Sequence, residues 1–166
     1  MSSRDIQRTR VYAAEQFVRT LFDRAGQHSR RAIDFFGEQI TLPPEGRFAS
    51  VESVQRYVDE VLALPAVTQQ WPGSAPVRVR ARRAASAAHY EYSADVAVIA
   101  VPAREQWALR ELVVLHEITH HLCGGGGPAH GPRFVATFCA LAEAVMGPEA
   151  GHVLRVVYAK EGVSAR

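Results

Sequence analysis

The stretch from Leu112 to Leu122, LVVLHEITHHL, constrains this chain more than any other. Its apolar residues, Leu112, Val113, Val114, Leu115, Ile118 and Leu122, leave little of a helical surface for solvent, so they predict a helix packed into a core. Such a helix holds its polar residues rigidly, and among them here are His116, Glu117 and His120. Four glycines, Gly124 to Gly127, follow, and Gly124 alone could end the helix.

The elements around it follow from periodicity and punctuation. Asp5 to Ala25 places Ile6, Tyr12, Phe17, Val18, Leu21 and Phe22 near helical spacing, with Gly26 as a stop. AIDFFGEQITLPP predicts a strand or hairpin bent at Gly37 and ended by Pro43 and Pro44. Ser50 can cap a second helix that buries Val51, Val54, Val58, Val61 and Leu62, and WPGSAP is a turn. VRVRARR and HYEYSADVAVIAVP are strands, the second broken near Ser93 into a hairpin. A helix is expected from about Arg104 to Cys123, another from Pro132 to Met146, and a last from Glu149 to Lys160. This order predicts one α+β domain over residues 1–166, with helices packed on a small, mostly antiparallel sheet.

Several classes are excluded by composition. No run approaches the roughly 18 apolar residues that a membrane span requires, and Val96 to Val101 is far too short. MSSRDIQRTR passes directly into a charged amphipathic pattern, unlike a signal peptide, and Cys123 and Cys139 suggest no disulfide framework. A cytoplasmic protein is expected. The net charge of +2 carries little argument for a polyanion partner. Arg78, Arg80 and Arg82 share one face of a strand, but no aromatic residues interleave with them, which favours a solvated face over a nucleic-acid surface.

His116 and His120 lie one turn apart on one helix face, so both imidazoles can reach a single cation. Glu117 is rotated by about 100°, beside such a cation rather than on it, where it can take a proton from metal-activated water. This is the HExxH arrangement of zinc hydrolases. A catalytic zinc needs a third protein ligand and an open position. His130 lies ten residues past His120, beyond the glycine loop. Glu143 on the next helix could supply a carboxylate, Cys123 shares the helix stripe of both histidines, and His121 points off that stripe toward a pairing with Glu117.

HEITHHL, a Gly-rich link and AHGPRF together resemble the SprT-like and related minimal gluzincin metallopeptidases, in which an HExxH helix is followed by a histidine in an HGxxF setting. The chain as a whole also resembles an actinobacterial HExxH metallohydrolase family of similar length. The resemblance implies a zincin-like fold, a Zn2+ held by His116, His120 and His130, Glu117 as the catalytic residue, and Gly131 and Phe134 as structural residues. It brings a site and no substrate, and the chain carries no Cys-rich zinc ribbon.

The expected activity is therefore hydrolysis of amide bonds, with a peptide or protein as substrate and neither membrane nor nucleic acid as partner. DVAVIAVP, just before the motif helix, is expected to line the cleft as an edge strand that pairs with an extended peptide. Tyr158, His152, Arg133 and Tyr92 are eligible by chemistry to stabilise an oxyanion. The rival readings are a small-molecule amidase, a metal-stabilised binding module without turnover, and a nucleic-acid-associated protease recruited through the arginine strand.

Overall fold

The computed structural model describes residues 4–83, 86–102 and 104–166. Among them are six α-helices and two small sheets, an α+β arrangement. None of the helices is long and apolar enough to cross a membrane. The chain divides into two compact units, Met1–Glu45 with Gly125–Arg166, and Gly46–Gly124.

The first unit is mainly helical. It contains α1 (Arg8–Gly26), the hairpin β1 (Ala32–Phe35) and β2 (Glu38–Thr41), α5 (Pro132–Met146) and α6 (Pro148–Lys160). Val11, Ala14, Val18, Leu21, Phe22 and Ala25 form the buried stripe of α1, spaced as a helix packed on one side requires. α6 lies against both α1 and α5. Its Gly151 comes so close to α5 that an added Cβ would stand 2.8 Å from the Glu143 Cβ. Fully buried Tyr158 of α6 donates its hydroxyl to Glu15 Oε1 of α1 at 2.6 Å. The hairpin turns on Phe36 and Gly37, at φ 51° and 89°, the positive pair that matches strand twist in a two-residue turn.

The second unit is built on a three-stranded sheet. In chain order it contains α2 (Val51–Ala63), α3 (Pro65–Gln70), β3 (Val77–Ala81), β4 (His89–Ser93), β5 (Val96–Val101), a 3-10 turn at Gln106–Ala108 and α4 (Glu111–Cys123). Ser50 caps α2 reciprocally with Ser53: each side-chain oxygen accepts the other's backbone N–H at 3.1 Å. The sheet order is β3-β5-β4, with β3 parallel and β4 antiparallel to β5.

DVAVIAVP therefore does not form an edge: β5 is the central strand. Its Ala97, Ile99 and Val101 are buried along one face, and Ala100 is buried on the other. The outer side of β3 is engaged by α2, whose Gln55 accepts from the Val79 N–H at 2.7 Å and donates to the Val77 carbonyl at 2.9 Å. The edge strand without such a cover in the described sheet is β4. Register places Tyr90 beside Ile99 and Val79, and Tyr92 beside Ala97 and Val77, so both tyrosines project from one face. Arg78 and Arg80 project from the other, where Arg80 pairs with Glu91. That face is solvated and internally paired, as the alternation suggested.

The helix expected from Arg104 is shorter. Arg110 is extended and forms a β-bridge with Arg47, and α4 begins only at Glu111. Glu111 anchors this start. Its Oε2 accepts the Gly46 N–H at 2.7 Å, its Oε1 accepts the Tyr57 hydroxyl at 2.6 Å, and its own N–H donates to the Gly46 carbonyl at 2.9 Å.

Candidate metal centre

Helix α4 carries HEITH in its middle. Val114, Leu115 and Ile118 are fully buried on it, and Thr119 satisfies its hydroxyl by donating to the Leu115 carbonyl at 2.8 Å. His116 is 4% exposed and Glu117 6%, while His120 is half-buried. The two histidine rings meet edge to face, and their Nε2 atoms lie 3.2 Å apart. Two nitrogens each about 2.0–2.1 Å from one tetrahedral ion would stand about 3.3 Å apart. The helix thus sets this pair at a separation compatible with a single cation.

His130 is held differently. It lies in the turn Pro128–Gly131, closed by the Gly131 N–H on the Pro128 carbonyl at 3.1 Å. Its Nδ1 is 2.7 Å from Asp5 Oδ2, its backbone N–H donates to Asp5 Oδ1 at 3.3 Å, and its carbonyl accepts from Gln7 Nε2 at 3.3 Å. The imidazole packs edge-on against Phe134, 5.0 Å between centroids, and Tyr12 lies at the same distance. Gly131 is close to Pro128: an added Cβ would stand 3.3 Å from three of its ring carbons. Gly131 and Phe134 therefore have a local packing role in the turn that bears His130.

Each of His116, His120 and His130 offers one ring nitrogen, and these atoms all lie within 4.8 Å of one another. This largely buried group can hold a metal ion. Three imidazoles form a borderline-soft donor set that suits zinc and other late first-row divalent ions better than magnesium or calcium.

The other sequence candidates lie elsewhere. Glu143 is partly exposed and pairs with Arg155. His121 spends both ring nitrogens: Nε2 is 2.8 Å from the Ala75 carbonyl and Nδ1 is 3.1 Å from the Tyr90 hydroxyl. The carbonyl can only accept, so Nε2 carries the proton and the tyrosine donates to Nδ1. Burial pushes the His121 pKa down, in keeping with this neutral tautomer. Cys123 is half-buried at the end of α4 and is not part of the histidine group.

Of the groups eligible to stabilise an oxyanion, Tyr158 is spent on Glu15, and burial raises its pKa well above the ordinary phenol value. Tyr92 is 62% exposed on β4. Arg133 and His152 are exposed, and His152 lies 6.0 Å from the Phe35 ring.

Two residues near the histidines escaped sequence reasoning. Tyr90 lies nearly parallel to the His120 ring, 13° between planes and 6.4 Å between centroids. Its pKa is raised, first by burial and then by neighbouring Tyr92. Strand alternation could have put Tyr90 and Tyr92 on one face, but not that face beside α4. Asp5 reaches His130 across 125 residues of sequence, a distance over which no motif carries a signal.

The glycine run has a conformational reason. Gly124, Gly126 and Gly127 take φ of 62°, 117° and 100°, while an added Cβ on any of them would meet nothing within 4 Å. Backbone conformation, rather than space, is what these positions demand.

No family model matches the chain, and neither a curated protein nor a solved structure does.

Proposed function

We propose that this chain is a metal-dependent hydrolase of amide bonds, a zincin-like peptidase resembling the SprT-like and minimal gluzincin enzymes and working in the cytoplasm. His116, His120 and His130 would hold the ion, Zn2+ by the chemistry of three imidazoles. The observation that carries the reading is the gathering of these three nitrogens within 4.8 Å, with buried Glu117 next to His116 on the same helix.

When bound, the metal supplies Lewis acidity that makes water a nucleophile near neutral pH and polarises a carbonyl. Glu117 accepts the proton of the attacking water and returns it to the leaving nitrogen. The α4 core, Val114, Leu115 and Ile118, keeps this carboxylate and both helix ligands from reorienting. Strand β4 supports a peptide substrate over a compact small molecule. Among the described residues it is the edge strand that no side chain like Gln55 covers, and an extended chain can add to such an edge.

The test is zinc per chain and peptide hydrolysis measured together on protein purified without added metal. The wild type should carry about one equivalent, as a single three-ligand site implies. Glu117→Gln should keep that zinc and lose activity by at least about a hundredfold, the usual worth of a general base. His130→Ala should lose most of both. Zinc retained in full by His130→Ala refutes the three-histidine site, and turnover by Glu117→Gln removes the glutamate as base. A wild type that holds zinc but cleaves nothing in a broad peptide library is a binding module instead.

A further inference from the structure

Asp5 engages one residue twice. Its Oδ2 lies 2.7 Å from the His130 ring Nδ1, and its Oδ1 accepts the backbone N–H of the same residue at 3.3 Å. A carboxylate that holds a ring nitrogen and that residue's own amide fixes the ring relative to its backbone. The neighbours complete the restraint. Phe134 and Tyr12 flank the imidazole, and Gln7 donates to the His130 carbonyl. Gln7 is itself tied at both ends of its amide to Ser164, donating to the carbonyl at 3.2 Å and accepting the N–H at 2.7 Å. The segment from Asp5 to Gln7 is thus a strap across the turn that carries His130.

We propose that Asp5 is the positioning residue of the third ligand: it holds His130 as the Nδ1–H tautomer, so that Nε2 alone is presented to the metal. The inference rests on the reading of His130 as a ligand. The chemistry follows from the acceptor. An ionised carboxylate only accepts, so the ring proton belongs on Nδ1, and a neutral imidazole then has its one lone pair on Nε2. A carboxylate behind a ligating histidine also raises the basicity of the coordinating nitrogen, and losing such a partner typically weakens metal binding 10–100-fold, roughly. A part-buried aspartate–histidine contact that served only the fold would not set which ring nitrogen carries the proton for a metal.

Two measurements on the full chain separate this proposal from the hydrolase reading. Long-range 1H–15N spectra of the metal-free protein, above the imidazole titration range, report the His130 tautomer without metal or substrate. Zn2+ affinity by chelator competition reports the consequence. Wild type should show His130 protonated on Nδ1. Asp5→Ala should show a mixture or the Nε2–H form, with zinc bound about 10–100-fold more weakly. Asp5→Asn can still accept from Nδ1–H through its amide oxygen, so it should keep the tautomer and lose less affinity than Asp5→Ala. That graded rescue guards against an alanine variant that merely fails to fold.

Wild-type His130 protonated on Nε2, or zinc affinity within about twofold of wild type in Asp5→Ala, where losing the carboxylate behind His130 should weaken binding at least about tenfold, overturns the proposal. A wild type that takes up no zinc overturns the metal reading instead, and the tautomer spectra then decide alone whether Asp5 sets the ring.

Discussion

Tyr158→Phe removes one oxygen from the core of the helical unit, and its cost follows from where that oxygen lies. Tyr158 is 2% exposed, Glu15 is 5% exposed, and their oxygens are 2.6 Å apart. That separation falls in the range of a hydroxyl donating to an ionised carboxylate, about 2.5–2.7 Å. Hydrogen bonds to charged groups contribute about 1.5–3 kcal/mol net. Arg19 lies one turn along α1 from Glu15 and its charge also reaches Tyr158, so the carboxylate is not left without compensation. The expected loss is therefore about 2 kcal/mol, the middle of the range. For a chain of this size each kcal/mol lowers the melting midpoint by about 2–4 °C, so a fall of about 4–8 °C should accompany it.

The same variant should change the alkaline limb of the stability curve. Burial first, and then the Glu15 charge and hydrogen bond, raise the Tyr158 pKa well above 10. The folded state therefore keeps the phenolic proton longer than the unfolded chain does. This contribution is whole below pH about 10 and is lost as pH climbs through the folded value, with a slope of up to about 1.4 kcal/mol per pH unit. Urea denaturation followed by circular dichroism at a series of pH values measures both effects, and the variant should lack the tyrosine share of the slope. A variant within about 0.5 kcal/mol of wild type, well below the range for such a bond, and with an unchanged alkaline profile would show that the Tyr158–Glu15 bond does not stabilise the fold.

The two thiols should differ in reactivity. Burial pushes the Cys139 pKa from 9.0 up to about 12, while Cys123 is half-buried, so a disulfide reagent should titrate Cys123 alone in native protein and both in urea. Prompt native reaction of Cys139 would contradict its burial. Tyr57→Phe should cost about 1.5–2 kcal/mol, because Glu111 Oε1 loses a donor at 2.6 Å while Oε2 keeps the Gly46 N–H. Its zinc content should not change, since Glu111 lies about 7.5 Å along the helix axis from His116; metal lost together with stability would show that the start of α4 does reach the ligands.

Local chemistry was legible where its causes are local. Ser50, Gly37 and Pro132 stand where capping, turning and the first helical turn need them, and the structure uses each so. Strand neighbours were not legible. The apolar run from Val96 to Val101 announces a strand, expected at an edge, yet its place between β3 and β4 depends on a parallel partner supplied from Val77–Ala81. Nor was the start of α4 visible, because it depends on Arg47 and Gly46 meeting Arg110 and Glu111 some 65 residues later.

The histidines divide in the same way. His116 and His120 are neighbours because a helix repeats every 3.6 residues or so, a fact that any reading of HEITH contains. Sequence alone also set the α+β class, since the alternation of helical and strand periods is written residue by residue. Only the tertiary structure gathers His130, and not Glu143, Cys123 or His121, with the helix pair. His130 is held by a turn closed on the Pro128 carbonyl and by a carboxylate from Asp5. Each of these acts through space, and spacing along a chain does not encode distance through space once loops intervene.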